Sequence, residues 1–291
     1  MACALVVAGV PAAKETVVSM HRKLQENLGL ATDLLLHAQI GSVSHDGRYA
    51  IMRTAQAPEY FSGNMLVLDG PPGDDDRQRL EDDFARLIGT PPAMVHRSFA
   101  WPEDDGAVRD LDAFIGQGYE RATCSVLVAE RNAVHSPEIN EAVEVRLFDS
   151  NSDSGSERDW DDWLQMSLAD MPDPDSDVSR RCVAFQRDAY RALIERQWGN
   201  WWGAFIDGEM VGSLGLFFFG RIGRFQSIVT RRDQRNKRVC RTLLTEVVKR
   251  AAGARDRLVI VADENYHAHR LYEALGFACQ ARIGTLCQAP G

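Results

Sequence analysis

The sequence predicts an α/β fold, a mixed β-sheet flanked by helices, in a chain of 291 residues that suits two domains better than one. Three observations carry this. Short β-branched and aromatic runs alternate with stretches of 3.6-residue apolar period. Asp207-Gly208 stands between two apolar runs, a strong hairpin signal. Leu258-Val259-Ile260-Val261 is followed by a loop, a short periodic segment closed by Gly276, and a further apolar run, the strand-helix-strand step of an α/β layer.

The second half reads most clearly. Val143 to Leu147 is a strand. Asn151 to Gly155 is turn-rich, and Ser156 is expected to cap a helix running through Trp160, Trp163 and Leu164. Two prolines and four aspartates between Asp170 and Asp177 mark a loop. Arg180 to Gln197 has helical period at Val183, Ala184, Tyr190, Leu193 and Ile194. Trp201 to Ile206 and Met210 to Phe219 are the two arms of the hairpin, and Arg224 to Thr230 is the next strand. Gln234 to Ala252 is expected as a helix, apolar at Val239, Leu243, Leu244, Val247 and Val248. Strand 258–262, the short helix before Gly276 and a last strand near 278–287 follow, giving the order β-α-α-β-β-β-α-β-α-β. In the first half, Gly63–Leu68, Ala93–Ala100 and Ala122–Ala129 read as strands, and Asp74–Ile88 and Ala107–Ile115 as helices. The domain boundary falls at residue 140: 1–140 and 141–291.

Charge is distributed unevenly. The net charge is −9, yet residues 181–291 carry 18 Lys and Arg against 10 Asp and Glu. Eight cations and only Asp233 as an acid lie within 221–241. A basic island in an acidic chain suits a discrete anionic ligand, and the acidic remainder argues against nucleic acid as a partner. No apolar run has the length of a membrane span, so no membrane partner is expected. Met1 to Val10 is apolar but has no preceding basic segment, which speaks against a secretory leader. The six cysteines are scattered without a C-x-x-C pair, as expected for reduced thiols in the cytoplasm. No metal is expected, since neither the cysteines nor the histidines, His267 and His269 among them, have ligand spacing. The sequence leaves the oligomeric state open.

Asn265, Ala268, Leu271, Tyr272, Leu275, Gly276 and Phe277 fall on the spacing N-x-x-A-x-x-L-Y-x-x-L-G-F. These seven positions resemble the signature of the GNAT superfamily of N-acetyltransferases, and the element order over 141–291 is that of the whole GNAT fold. The first half has the order of the second half of that fold, and Phe114–Tyr119 can be laid on Tyr272–Phe277. The chain therefore resembles a tandem GNAT protein whose N-terminal copy is degenerate. In that copy Pro71-Pro72-Gly73-Asp74-Asp75-Asp76 stands where a basic turn belongs, and three aspartates would repel a pyrophosphate.

The resemblance implies an acetyl-CoA-dependent N-acetyltransferase. Its cofactor turn, written Q/R-x-x-G-x-G/A, corresponds to Arg235-Asn236-Lys237-Arg238-Val239-Cys240, with Arg241 following. Arg235 fits; Arg238 and Cys240 occupy the glycine and small positions, and the family often has glycine at Asn236 as well. Arg238 either points outward and adds charge or fills the space a phosphate needs. The preceding strand, with Ile228, Val229 and Thr230, would pair its backbone with the pantetheine arm. Asn265 either caps the signature helix or bonds that arm. Tyr272 either protonates the leaving thiolate or packs the helix. Some members carry a glutamate base where Arg224 stands here, so no base is assigned, although a water relay through Gln226 and Ser227 would serve. The acceptor would be a small-molecule or peptide amine. Asp159, Asp161, Asp162, Asp170, Asp173, Asp175 and Asp177, with Trp160, Trp163, Trp198, Trp201 and Trp202, are expected around it and suit a cationic, partly apolar amine. The alternative is a non-catalytic acyl-CoA-binding or regulatory module.

Overall fold

The computed structural model describes residues 22–103, 109–148, 153–253, 256–265 and 268–289. The chain forms two compact units: residues 1–126, 261–266 and 279–291, and residues 127–260 and 267–278.

Among the described residues the first unit starts with helices α1 (Arg22–Glu26) and α2 (Leu28–Ile40). Asn27 caps α2, its Oδ1 accepting from the Leu30 N–H at 3.2 Å, while its amide donates to the Arg282 carbonyl at 2.9 Å. Strands β1 (Ser42–His45), β2 (Ala50–Arg53) and β3 (Met65–Val67) form an antiparallel meander. Helix α3 (Arg77–Leu87) then crosses over to β4 (Arg97–Glu103), which runs parallel to β3. Helix α4 (Asp112–Ile115) leads to β5 (Glu120–Glu130). The unit's strand order is β1-β2-β3-β4-β11-β5, so the chain's last strand, β11 (Ala278–Gln288), lies against β4 in antiparallel register. Phe84, Phe99, Trp101, Phe114 and Tyr119 fill the core. Of the helix read over 107–115, residues 107 and 108 lie outside the described residues, and 109–111 are not helical: α4 begins at Asp112.

The second unit contains β6 (Glu144–Leu147), α5 (Asp153–Ala169), α6 (Asp177–Glu195), β7 (Gly199–Ile206), β8 (Glu209–Phe219), β9 (Ile222–Thr230), α7 (Val239–Ala251), β10 (Arg257–Asp263, through Ile260) and α8 (His269–Ala274). Its strand order is β5-β10-β9-β8-β7-β6, with β9 and β10 parallel and β6 to β9 antiparallel. The β7–β8 turn has Asp207 at φ 51° and Gly208 at φ 81°, the two left-handed residues a tight hairpin requires. The parallel pair with its helical crossover thus occurs twice, as β3-α3-β4 and as β9-α7-β10.

Several helix starts differ from the sequence expectation, among them α3, which begins at Arg77 rather than Asp74, and α6, which begins at Asp177 rather than Arg180. Residues 153–155, read as loop with Ser156 as cap, are already helical; Asp and Ser in a first turn suit a helix start as well as a loop. Helix α7 begins at Val239 rather than Gln234, because Asn236 (φ 64°) and Arg238 (φ 62°) are left-handed and cannot sit within a helix. Helix α6 begins at Asp177, capped by Ser176, whose Oγ accepts from the Ser179 N–H at 3.1 Å.

The tryptophans also differ. Trp160, Trp163, Trp201 and Trp202 are all under 7% exposed, and the first three join Tyr190 and Phe217 in one cluster of edge-on and tilted rings as core. Burying these large rings between α5, α6 and the strands stabilises the layer more than an exposed cation site would. On the other face, a Cβ at Gly212 would meet Val239 of α7 at 3.2 Å, which fixes how closely α7 approaches β8.

Candidate functional site

Strand β9 leaves its parallel neighbour early. It pairs with β10 only through Ile222–Arg224 against Arg257–Val259. Among the described residues, 225–230 have β8 as their single partner strand. Such an edge offers backbone donors and acceptors to an extended ligand. The β8 pairing itself skips: Ser213 faces Val229 and Gly215 faces Gln226, so Ser227 and Ile228 together oppose Leu214. Ser227 is left-handed at φ 43°, and its hydroxyl lies 3.2 Å from the Tyr190 hydroxyl of α6. Opposite Val229, the Ser213 hydroxyl is buried without a hydrogen-bond partner.

The turn after β9 is tightly tied. Arg231 bonds Asp233 at 2.8 Å and Glu209 at 3.2 Å, and Lys237 bonds the Gln234 side chain at 3.2 Å. Arg235 donates to the Thr230 carbonyl at 3.3 Å and to the Asp170 carboxylate at 2.7 Å. Asn236 and Arg238, at the family's glycine positions, both take the left-handed conformation that glycine would adopt freely. The backbone shape is retained at about 1–2 kcal/mol per non-glycine residue, less for Asn. The Arg238 guanidinium takes the outward option, pairing with Glu138 at 3.2 Å while half exposed. Arg238 caps α7 without a side-chain bond, and the first turn of the helix carries no acid. The first amides of α7 are therefore free of a capping side chain at the positive end of a 13-residue helix. Burial pushes the Cys240 thiol up to about 12, so it stays neutral in that turn, and Arg241 is occupied by the Ser136 hydroxyl at 3.2 Å.

The signature residues are mostly packing. Ala268, Tyr272, Leu275 and Phe277 are buried. Gly276 is needed on two counts: φ is 99°, and a Cβ there would lie 2.3 Å from the Ala133 carbonyl oxygen. The Tyr272 ring meets Phe277 edge-on at 6.4 Å, and Phe277 in turn meets Phe225 of β9 at 6.3 Å. Asn265 is exposed; its N–H bonds Asp263 at 2.8 Å, and the cap of α8 is Ala268, so the capping role is not its own. Arg224 is buried in β9, leaving no carboxylate at the family's base position.

A cavity of about 630 Å³ opens beside this strand end. Arg158, Asp162, Met166 and Asp170 form one wall, and Met210 and Val229–Asp233 the other. Among the acids named from the sequence, Asp162 and Asp170 reach it; Asp159 is instead buried in a two-pronged bond to Arg146 at 2.6 and 2.9 Å. The apolar wall is methionine and valine rather than tryptophan, a packing choice with no local sequence signal.

The corresponding turn of the first unit is built differently. Gly73 is extended at φ −122°, and Asp76 bonds its N–H at 2.9 Å and Arg79 at 2.6 Å. Asp74 accepts from the Ala113 N–H at 2.9 Å. Between residues 68 and 77 there is no left-handed residue to cup an anion.

Residues 160–277 match the model of the acetyltransferase (GNAT) family. The fold recurs in solved structures. A functionally unknown conserved protein from Staphylococcus epidermidis shares 15% identity at TM-score 0.66, over 85% of this chain and 93% of that one. A putative GNAT-family acetyltransferase from Novosphingobium aromaticivorans shares 15% at TM-score 0.51, over 93% and 97%. A GCN5-related N-acetyltransferase from Kribbella flavida shares 14% at TM-score 0.51, over 98% and 97%. At these identities the likeness speaks for the fold. No curated protein matches the chain in sequence.

Proposed function

Because residues 160–277 form a domain of the acetyltransferase (GNAT) family, we propose that this chain transfers an acetyl group from acetyl-CoA to the nitrogen of an amine. The observation that carries the reading is the end of β9: an edge open from residue 225, followed by a left-handed turn and the uncapped start of α7. These features fit an extended arm that ends in a pyrophosphate. The backbone of Ile228, Val229 and Thr230 would pair with the arm, and Arg235, Asn236, Lys237, Arg238, Val239, Cys240 and Arg241 would form the phosphate turn.

Acetyl-CoA supplies the activated acyl group. The chain's part is to hold and to move protons. A neutral amine attacks the thioester carbonyl, its N–H proton leaves, the C–S bond breaks, and the thiolate takes a proton. Tyr272 is the donor this reading assigns to the thiolate, since a phenol can serve as general acid. No side-chain base is assigned; water held near Gln226 and Ser227 would take the amine proton. The acceptor would enter the 630 Å³ cavity, where the half-buried Asp162 favours a cation and Met166, Met210 and Val229 favour an apolar body.

A second reading, a non-catalytic acyl-CoA-binding module, draws on Arg224 at the base position and on the Asp170 carboxylate that already holds Arg235. Calorimetry with CoA and acetyl-CoA, then thiol release over a panel of amines, separates the two. Binding with turnover is expected. Binding without turnover favours the module, and no heat at millimolar ligand with folded protein removes both.

A further inference from the structure

We propose that Tyr190 is a positioning residue for the proposed acetyl transfer: its hydroxyl holds Ser227 in the left-handed conformation that creates the bulge in β9. The inference rests on the function proposed above for its consequence in turnover, but its structural part stands separately.

Serine rarely takes a positive φ, and a strand interior gives it no reason to do so. Here the departure coincides with a side-chain contact, the Tyr190 and Ser227 hydroxyls at 3.2 Å. Tyr190 is well placed to fix that point. It is 3% exposed, and its ring lies 4.5 Å from Trp201 and 5.9 Å from Phe217, with Trp163 edge-on at 6.1 Å. The hydroxyl is thus delivered by a ring locked against α5, β7 and β8.

The position of the bulge gives the contact its consequence. Pairing to β10 ends at Arg224, three residues before Ser227. The backbone freed by that ending runs directly through the bulge into Ile228, Val229 and Thr230. Two residues opposing one re-aim the strand that follows. Whatever those N–H groups contact, their direction depends on Ser227 keeping φ near 43°. An extended Ser227 would return the strand to flat register and point the same groups elsewhere.

Tyr190→Phe removes the hydroxyl and keeps the ring. Ser227→Gly lets position 227 take a positive φ unaided. In the proposed reaction, Tyr190→Phe should lower kcat at least 10-fold while KM for acetyl-CoA moves less than 3-fold, because affinity resides mainly in the turn after β9. Adding Ser227→Gly should bring kcat back to within 3-fold of Ser227→Gly alone. Tyr190→Phe with wild-type kcat overturns the proposal. So does a double variant more than 3-fold slower than Ser227→Gly alone, which would place the hydroxyl in the chemistry itself. Amide exchange at residues 226–229 gives a readout that needs no turnover. Tyr190→Phe should speed it at least 10-fold, with α7 amides unchanged, and Ser227→Gly in the same chain should reverse this. A wild type without turnover whose exchange follows this pattern removes the proposed function and leaves the clamp. Normal turnover with unchanged exchange in Tyr190→Phe removes the clamp and leaves the function.

Discussion

Arg238 is the residue at which the proposed cofactor turn departs furthest from the family's pattern, and Arg238→Gly tests how the turn works. Three terms set the stability change. Relief of a left-handed non-glycine residue is worth about 1–2 kcal/mol. Glycine returns about 0.4–1 kcal/mol of freedom to the unfolded chain. The exposed pair with Glu138 contributes about 0–1 kcal/mol. These nearly cancel, so Arg238→Gly should stay within about 1 kcal/mol of wild type in urea unfolding. Arg238→Val should lose at least about 1 kcal/mol, since a β-branched residue fits φ 62° poorly. For CoA affinity the argument is electrostatic. One exposed charge about 7 Å from a phosphate in a water-like dielectric is worth roughly 0.6 kcal/mol, so CoA should bind about 2–3-fold more weakly at low salt, the gap closing as salt rises. Calorimetry of both variants at two salt concentrations measures this. Tighter binding by Arg238→Gly would refute the outward placement as the one that matters for ligand, and stabilities of Gly and Val variants that coincide would refute the left-handed turn.

Other outcomes follow from the same site. Arg235→Ala should weaken CoA binding by about 1–3 kcal/mol if the guanidinium donates to phosphate, while Asp170→Asn, which removes the carboxylate charge that competes for that guanidinium, should strengthen it; calorimetry reads both. Tyr272→Phe should leave CoA affinity unchanged and cost roughly 10²-fold in turnover, whereas a packing role alone would leave kcat nearly intact. One CoA per chain is expected, because the Gly73–Asp76 turn of the first unit lacks left-handed residues; a stoichiometry near two shows otherwise. Burial holds the His96 imidazole below its ordinary value, against the opposing pull of the Asn64 carbonyl. The unfolded chain then binds the extra proton, so this contribution is complete above about pH 6.5 and is lost as pH falls below it. Urea midpoints between pH 7.5 and 5 should decline for wild type and flatten for His96→Gln.

What the sequence conveys and what it hides divide along physical lines. Gly276 and its neighbours are legible because a left-handed cap and a close carbonyl admit little else, and Asp207-Gly208 is legible for a related reason. The start of α7 is not, because Gln234 to Arg238 lacks a glycine or proline breaker, yet Asn236 and Arg238 are left-handed there. Helix α2 gives little amphipathic signal, since Leu30, Leu34, Leu35 and Leu36 bury nearly all round it. The bulge at Ser227 has its partner 37 residues earlier, in Tyr190, beyond any local pattern. The tryptophans were readable as apolar mass but not as core or cavity wall, because both uses ask for the same residue type.

The proposed cofactor turn takes a left-handed shape without glycine, and the reason lies upstream of the family match. A left-handed Arg or Asn persists only where its surroundings over-determine it. Here the segment from Ser136 to Asn140 does so. The Asn140 side chain donates to the Lys237 carbonyl at 2.9 Å, and its N–H donates to the Thr242 hydroxyl at 2.8 Å. That hydroxyl donates in turn to the Arg238 carbonyl at 2.9 Å. Glu138 holds the Arg238 guanidinium, and Ser136 accepts from Arg241. Four contacts thus converge from a stretch of five residues that precedes the matched region, 160–277, and Thr242 relays one of them to Arg238. The glycines' freedom has been exchanged for an external brace, and the strain of the two left-handed residues is carried by hydrogen bonds that each contribute about 1 kcal/mol. Motif reading alone scores the turn as damaged, since the brace lies about a hundred residues away in sequence.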